Sequence, residues 1–186
     1  MTIKSIVFTL LILITGSSVA LGQTGKDNLI FWSATKKLTV DNFGIKLSSQ
    51  NSPSFAQFSV DFQVNGFDFM TKNFNKKVRN YLIVSASWID TTNHVLESLR
   101  YQQTLFDICE IYTRQFRKEL KENRKRIASG TKFVDELNQR NTTDFANRRV
   151  VYDKETNYGS LIDKQLTWEK QIQKELEVLK DYNFDR

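Results

Sequence analysis

Between Phe55 and Phe69 the chain alternates: Phe58, Val60, Phe62 and Val64 are apolar, with Ser59, Asp61 and Gln63 between them. Successive strand side chains point to opposite faces, so this period of two predicts a strand with one buried face. Asn65-Gly66 marks a turn or a bend at its end. Lys77 to Ile89 predicts a second strand, whose Tyr81-Leu82-Ile83-Val84 run has no polar face and is expected to be buried on both sides. The polar stretch Lys72 to Lys77 lies between them, so the two strands are expected to pair antiparallel.

From about Thr92 to Ile127 the period changes to that of a helix. Asp90, Thr91 or Asn93 can cap its start. Leu96, Leu99, Phe106, Cys109, Phe116 and Leu120 form one apolar stripe, and Tyr101, Leu105, Ile108 and Tyr112 form another. Two stripes require burial on two sides, with a sheet on one and helices on the other. Ser129-Gly130 stops the helix. A shorter helix is expected over Lys132 to Phe145. A last one is expected from about Gly159 to Leu179, burying Leu161, Leu166, Trp168, Ile172 and Leu176. Gln23 to Ile30 reads as a flexible lead. The expected fold is α+β: a small antiparallel sheet packed on a long central helix, with further C-terminal helices.

The first 22 residues carry a different pattern. Lys4 precedes the apolar run Ile6 to Ile14, and Ser17, Ser18, Ala20 and Gly22 follow. This is the layout of a secretory leader, too short to span a membrane. Cleavage is expected before Gln23, or alternatively before Leu21. No cysteine stands near that junction, so lipid anchoring is not expected. Residues 23–186 suit a single domain, exported to the periplasm or beyond the cell, with no membrane span after cleavage. The single cysteine, Cys109, allows no internal disulfide.

The formal charge of +6 falls to +5 with the loss of Lys4. The excess gathers in Arg114, Arg117, Lys118, Lys121, Arg124, Lys125 and Arg126. Cations are favoured near a helix C-terminus by its dipole, and a solvated helix end accounts for the run. Its functional counterpart is contact with an anionic surface or an acidic protein or peptide partner. Aromatic residues do not interleave with the run, so no nucleic-acid partner is expected.

Candidate chemistry centres on Leu99-Arg100-Tyr101-Gln102-Gln103-Thr104-Leu105-Phe106-Asp107-Ile108, with Glu110, Ile111, Tyr112 and Arg114 following. The segment resembles a helix in a family of secreted bacterial proteins, a domain of unknown function described as zinc-dependent proteases. There the helix reads His-Glu-Gln-x-His-Phe-Asp-Ile. A second block, Tyr152-Asp153-Lys154-Glu155-Thr156-Asn157-Tyr158-Gly159 with Gln165 and Trp168, is similar to the family's Tyr-Asp, Thr, His-Gly, Gln and Trp pattern. A third, Trp32, Leu38, Thr39, Asp41, Phe43 and Gly44, resembles its opening, with Val40 and Asn42 departing from it. The resemblance implies a zincin-like fold. It also implies that Tyr101, Leu105 and Tyr158 stand where the zinc ligands would be, and Gln102 where the general base would be.

Zinc-peptidase chemistry needs two imidazoles one helical turn apart and a third ligand, with a carboxylate to take a proton from the bound water. Tyr101 is a poor zinc ligand at neutral pH, because a phenol titrates near ~10. Gln102 has no basic carboxylate, and Leu105 has no donor atom. No catalytic residue, metal or cofactor is therefore expected. A helix rich in Tyr, Leu, Phe and Ile is more often simply core than a metal site with its ligands replaced, and the two readings are compatible.

His94 alone cannot make a three-ligand site and is expected at the surface near the helix cap. Cys109 lies about 22 Å along the helix from it, too far for a nucleophile–base pair. Asp107, Asp153 and Glu155 are candidate groove residues. The alternative to a non-catalytic exported binding or scaffolding protein is a hydrolase with a non-zinc site using Asp107, Glu110, Tyr101 or Tyr158.

Overall fold

The computed structural model describes residues 28–48 and 54–185. The leader expected over residues 1–22, and the first part of the lead after it, lie outside the described residues. Four strands form one sheet: β1 (Leu29–Phe31), β2 (Ile45–Leu47), β3 (Phe55–Phe62) and β4 (Val78–Asp90). Three α-helices follow: α1 (Val95–Glu122), α2 (Lys132–Thr156) and α3 (Ile162–Val178). The class is α+β, as the period switch predicts.

The long strand β4 pairs with all three others. β3 runs antiparallel to it, Phe58 opposite Leu82 and Phe62 opposite Val78, with an irregularity between Phe55 and Gln57. β1 is also antiparallel, Ile30 opposite Leu82. β2 is parallel, Lys46 opposite Ile89. The sheet is therefore mixed, not purely antiparallel. Val84 joins the two short strands to β4: its N–H donates to the Asn28 carbonyl at 3.2 Å, and its carbonyl accepts the Gly44 N–H at 2.9 Å. Gly44 permits this approach, because a Cβ there would lie 2.6 Å from the Val84 oxygen. Part of the expected lead is thus strand. Three-residue strands are too short to show an alternation, and Leu29, Phe31 and Ile45 keep over a third of their surface exposed.

The two stripes of α1 face two layers, as expected. On the sheet side Phe106 stacks on Phe58 with centroids 4.8 Å apart, and Phe116 meets Phe62 edge-on at 5.6 Å. On the helical side Tyr101 stacks on Tyr152 at 5.3 Å, and Tyr112 meets Phe145 at 6.3 Å. Leu96 is the exception, 78% exposed in the first turn. The core divides into a main cluster around Tyr101, Leu105, Ile108 and Ile111 and a second around Phe74, Phe116, Ile127 and Val134.

Three boundaries differ from expectation. Asp90 holds a turn, not the helix cap: its Oδ1 accepts the Thr92 N–H at 2.7 Å and hydroxyl at 2.6 Å. The chain then passes through His94 in a left-handed conformation (φ 50°) before α1 begins. At its other end α1 stops at Glu122, and Arg124–Ser129 continues as a 3-10 turn that buries Ile127. Helix α2 runs eleven residues past Phe145, to Thr156. Its later turns carry few buried apolar residues, which hides their period. They are held instead by buried Tyr152 and by the two-pronged Arg148–Glu175 pair at 2.6 and 2.7 Å.

Candidate functional site

At the end of α2 the backbone makes an abrupt reversal. Asn157, Tyr158 and Gly159 have φ of 46°, 55° and 85°, three left-handed residues in succession. Such conformations cost little for glycine and more for residues with a Cβ. Hydrogen bonds hold the reversal: Tyr158 N–H to the Asp153 carbonyl and Leu161 N–H to the Thr156 carbonyl, each at 2.9 Å. The Gly159 N–H donates to the Thr156 hydroxyl at 3.1 Å. Gly159 then lies on Tyr101, where a Cβ would sit 2.7 Å from the Tyr101 Cβ.

The reversal brings Tyr158 to Tyr101, ring centroids 6.4 Å apart and edge-on. Tyr101 is buried and is stacked on its other side by Tyr152. Its hydroxyl donates to Asp153 Oδ1 in a short hydrogen bond. Arg149 lies 3.7 Å from the other oxygen of that carboxylate. Burial, and then the Asp153 hydrogen bond, push the Tyr101 phenol far above its ordinary pKa. The phenol is therefore a fixed proton donor across the physiological range. Leu105, one turn on, is completely buried. Tyr158 is 66% exposed and forms the outer wall.

Gln102 is completely buried. Its amide nitrogen donates to the carbonyl and the hydroxyl of Ser54, both at 3.0 Å, tying α1 to the start of β3. Among the described residues its Oε1 has no hydrogen-bond partner. Arg149 lies over the ring of Phe55, 5.0 Å from its centroid. Tyr101, Tyr158 and Asp153 thus come together, with Gln102 anchored beside β3.

The other candidates lie elsewhere. Asp107 faces the N-terminal segment: its Oδ1 accepts Trp32 Nε1 at 2.8 Å and Gln103 Nε2 at 2.9 Å. Burial raises its pKa, against the pull of Lys37 at 3.9 Å. Glu155 accepts Trp168 Nε1 at 2.8 Å. Asp107, Asp153 and Glu155 therefore serve separate contacts, not one groove. Among the described residues no group of three or more His, Cys, Asp or Glu is placed to hold a metal.

Glu110 is engaged in the core. Its Oε1 accepts Arg114 Nε and Arg117 Nη1, both at 2.9 Å, and all three residues are buried. This corrects the basic run: Arg114 and Arg117 are interior cations and offer nothing to a partner. Lys121, Lys125 and Arg126 are exposed, Lys118 and Arg124 partly so. Cys109 is buried as expected, and burial pushes its thiol up to about 12. His94 is exposed at the helix start, 3.7 Å from Glu97.

One network was not anticipated from the residue pattern. Tyr152 donates to Gln165 Oε1 at 2.6 Å, and Gln165 Nε2 donates to the Thr104 hydroxyl and to Glu169, both at 2.9 Å. Glu169 also pairs with Arg100 through 2.5 and 2.6 Å bonds. The signal available was the recurrence of Gln165 beside Tyr152 in the second block. The network locks α1, α2 and α3 behind Tyr101. No protein-family model, curated protein or solved structure matches this chain.

Proposed function

We propose that this chain is an exported, non-catalytic, zincin-like protein, related to zinc-dependent peptidases, that serves by binding or scaffolding. The observation that carries the reading is the meeting of Tyr101 and Tyr158. Two positions 57 residues apart in the sequence, singled out by the resemblance alone, share an edge-on ring contact, and Leu105 lies one turn along. A site built from three imidazoles would need such convergence. In their place stand two aromatic rings, an aliphatic chain and a neutral amide, none of them an imidazole or a carboxylate.

The binding role rests on β3. Among the described residues it pairs only with β4. A cavity of about 230 Å³ lies beside it, lined by Gln57, Ser59, Cys109, Tyr112, Asn141 and Phe145 from β3, α1 and α2. A strand with a free edge can accept an extended peptide through its backbone groups. The rival hydrolase reading draws on Asp107, Glu110, Tyr101 or Tyr158; Asp107 and Glu110 belong to hydrogen-bonded groups apart from the Tyr101–Tyr158 contact and are already engaged there.

Reversal tests the reading. Tyr101→His, Gln102→Glu, Leu105→His and Tyr158→His together should create a zinc site. Histidine tolerates the left-handed backbone at residue 158 better than most residues. The apo variant should melt below the parent, because polar rings enter a packed site. Zinc should raise the melting midpoint of the variant and leave the parent unchanged. A rise in both, or in neither, would count against the reading.

A further inference from the structure

The 3-10 turn Gly66–Met70 packs directly against the 3-10 turn Arg124–Ser129, which carries Ile127 of the second apolar cluster. The first turn is inverted relative to an ordinary surface turn. Its acid, Asp68, points inward and is 6% exposed. It accepts the Asn65 N–H at 2.8 Å and the Thr71 hydroxyl at 3.0 Å, and it pairs with Lys77 at 3.2 Å. The apolar residues around it point outward: Phe67 is 79% exposed, Met70 66% and Phe69 37%. None of the three belongs to either core cluster. Exposed Leu or Phe residues scattered singly need no account, but three within four positions, rigidly displayed, do.

Cations stand next to this turn and on the turn packed against it. Lys72 follows the turn, and Lys125 and Arg126 are exposed on the turn it packs against. Lys76 is exposed, its ammonium 4.3 Å from the ring centroid of Phe184. Arg126 is seated on Phe133 at 3.9 Å. Of the nearby acids, Asp68 is turned inward, Glu122 faces Lys118 at 3.9 Å, and Glu136, which shares a pocket with Arg126, faces Lys132 at 3.8 Å. The result is an apolar tip in a cationic collar.

We propose that this end of the molecule docks on the surface of an anionic phospholipid bilayer. Phe67 and Met70 enter between the headgroups, and Lys72, Lys125 and Arg126 rest on the lipid phosphates. Aromatic and aliphatic side chains on one face with Lys and Arg beside them are the composition of interfacial anchors. The charge complementarity and the display of the apolar tips on a single turn favour a lipid surface. The contact is peripheral and independent of the peptidase-like reading.

The test is co-sedimentation of the processed chain, its mass confirming loss of the leader. The vesicles are phosphatidylcholine mixed with phosphatidylglycerol, against phosphatidylcholine alone. The parent should bind the mixed vesicles and not the neutral ones. Raising sodium chloride from ~0.1 to ~0.5 M should weaken the binding, since screening shortens the reach of the collar. Phe67→Ser with Met70→Ser should lower partitioning at least about tenfold, and Lys125→Ala roughly fivefold, the usual contribution of one basic residue at an anionic surface. Phe67→Trp should keep binding, and its emission after subtraction of the parent's, which comes from Trp32, Trp88 and Trp168, should shift to the blue on the mixed vesicles. Each of these results would overturn the proposal: no binding of the parent, equal binding to neutral vesicles, full binding by the double serine variant, or unshifted tryptophan emission. Retention by an acidic protein matrix with indifference to vesicles would also overturn it.

Discussion

Gly159 combines two constraints that are separate at most glycines. Its φ of 85° is a conformation that L side chains rarely adopt, and its missing Cβ leaves room for Tyr101. Gly159→Ala should cost about 1–2 kcal/mol for the backbone, and about 1–3 kcal/mol more for overpacking against a buried ring. Gly66 is the internal control. A Cβ there meets nothing within 4 Å, and its φ lies outside the left-handed range. Gly66→Ala should be neutral to within about 0.5 kcal/mol. Denaturant titration of both variants decides the matter; equal midpoints would show that Gly159 is not constrained as described. The same residue explains what one letter could convey. The Tyr158-Gly159 pair was singled out by resemblance, and its glycine has a physical reason to be there. The hydroxyl partner of Tyr101 was not foreseeable. Nothing in the spacing places Asp153 opposite Tyr101 until α2 is known to run on to Thr156.

At the scale of elements, one tie that joins several of them is ionic. Glu110 receives two arginines, and each reaches another element. Arg114 donates to the Leu176 carbonyl at 2.7 Å, in α3. Arg117 donates to the Val78 carbonyl at 2.9 Å, in β4, and to the Tyr182 carbonyl at 2.7 Å. Burial lowers the Arg117 pKa and Glu110 opposes the shift. Removing the anion leaves two buried cations facing each other. Glu110→Ala should therefore cost about 3–5 kcal/mol, measured by chemical denaturation, whereas Lys125→Ala should cost almost nothing. A loss below about 1 kcal/mol for Glu110→Ala would show that water reaches the arginines. This group also marks where the pattern misled. Basic letters near a helix end read as a solvated face, and two of the seven are interior. Periodicity did reveal α1 and its two buried faces, because its 28 residues give the pattern room to repeat. It could not reveal β1 and β2, three residues each, nor the polar later turns of α2.

For the whole molecule, the buried phenols set an alkaline limit. Burial chiefly raises the pKa of Tyr101 and of Tyr152 well above the ordinary value of ~10. For Tyr101 the Asp153 hydrogen bond adds to the effect, because a phenolate would face a carboxylate. A phenol with a raised folded-state pKa contributes stability that is fully present below the unfolded value. That contribution is lost as pH rises from there through the folded value. The ion-paired carboxylates work at the other end of the scale. Burial opposes their ionisation, but Arg100 holds Glu169 low and Arg148 holds Glu175 low. Their contribution is present above the ordinary carboxyl range and lost as pH falls through the depressed values. Between these limits stability should be level. Above pH ~10 each of the two phenols should add a decline of up to about 1.4 kcal/mol per pH unit. Of the six tyrosines in the chain, Tyr101 and Tyr152 should ionise only as the fold is lost. A near-ultraviolet absorbance titration run beside circular dichroism would resolve that step. Tyr101→Phe should melt lower at neutral pH, having lost the Asp153 bond, and should show a shallower alkaline decline. If both phenols ionise while the fold persists, solvent reaches the Tyr101 centre. The packed interior described around Tyr101 would then be wrong.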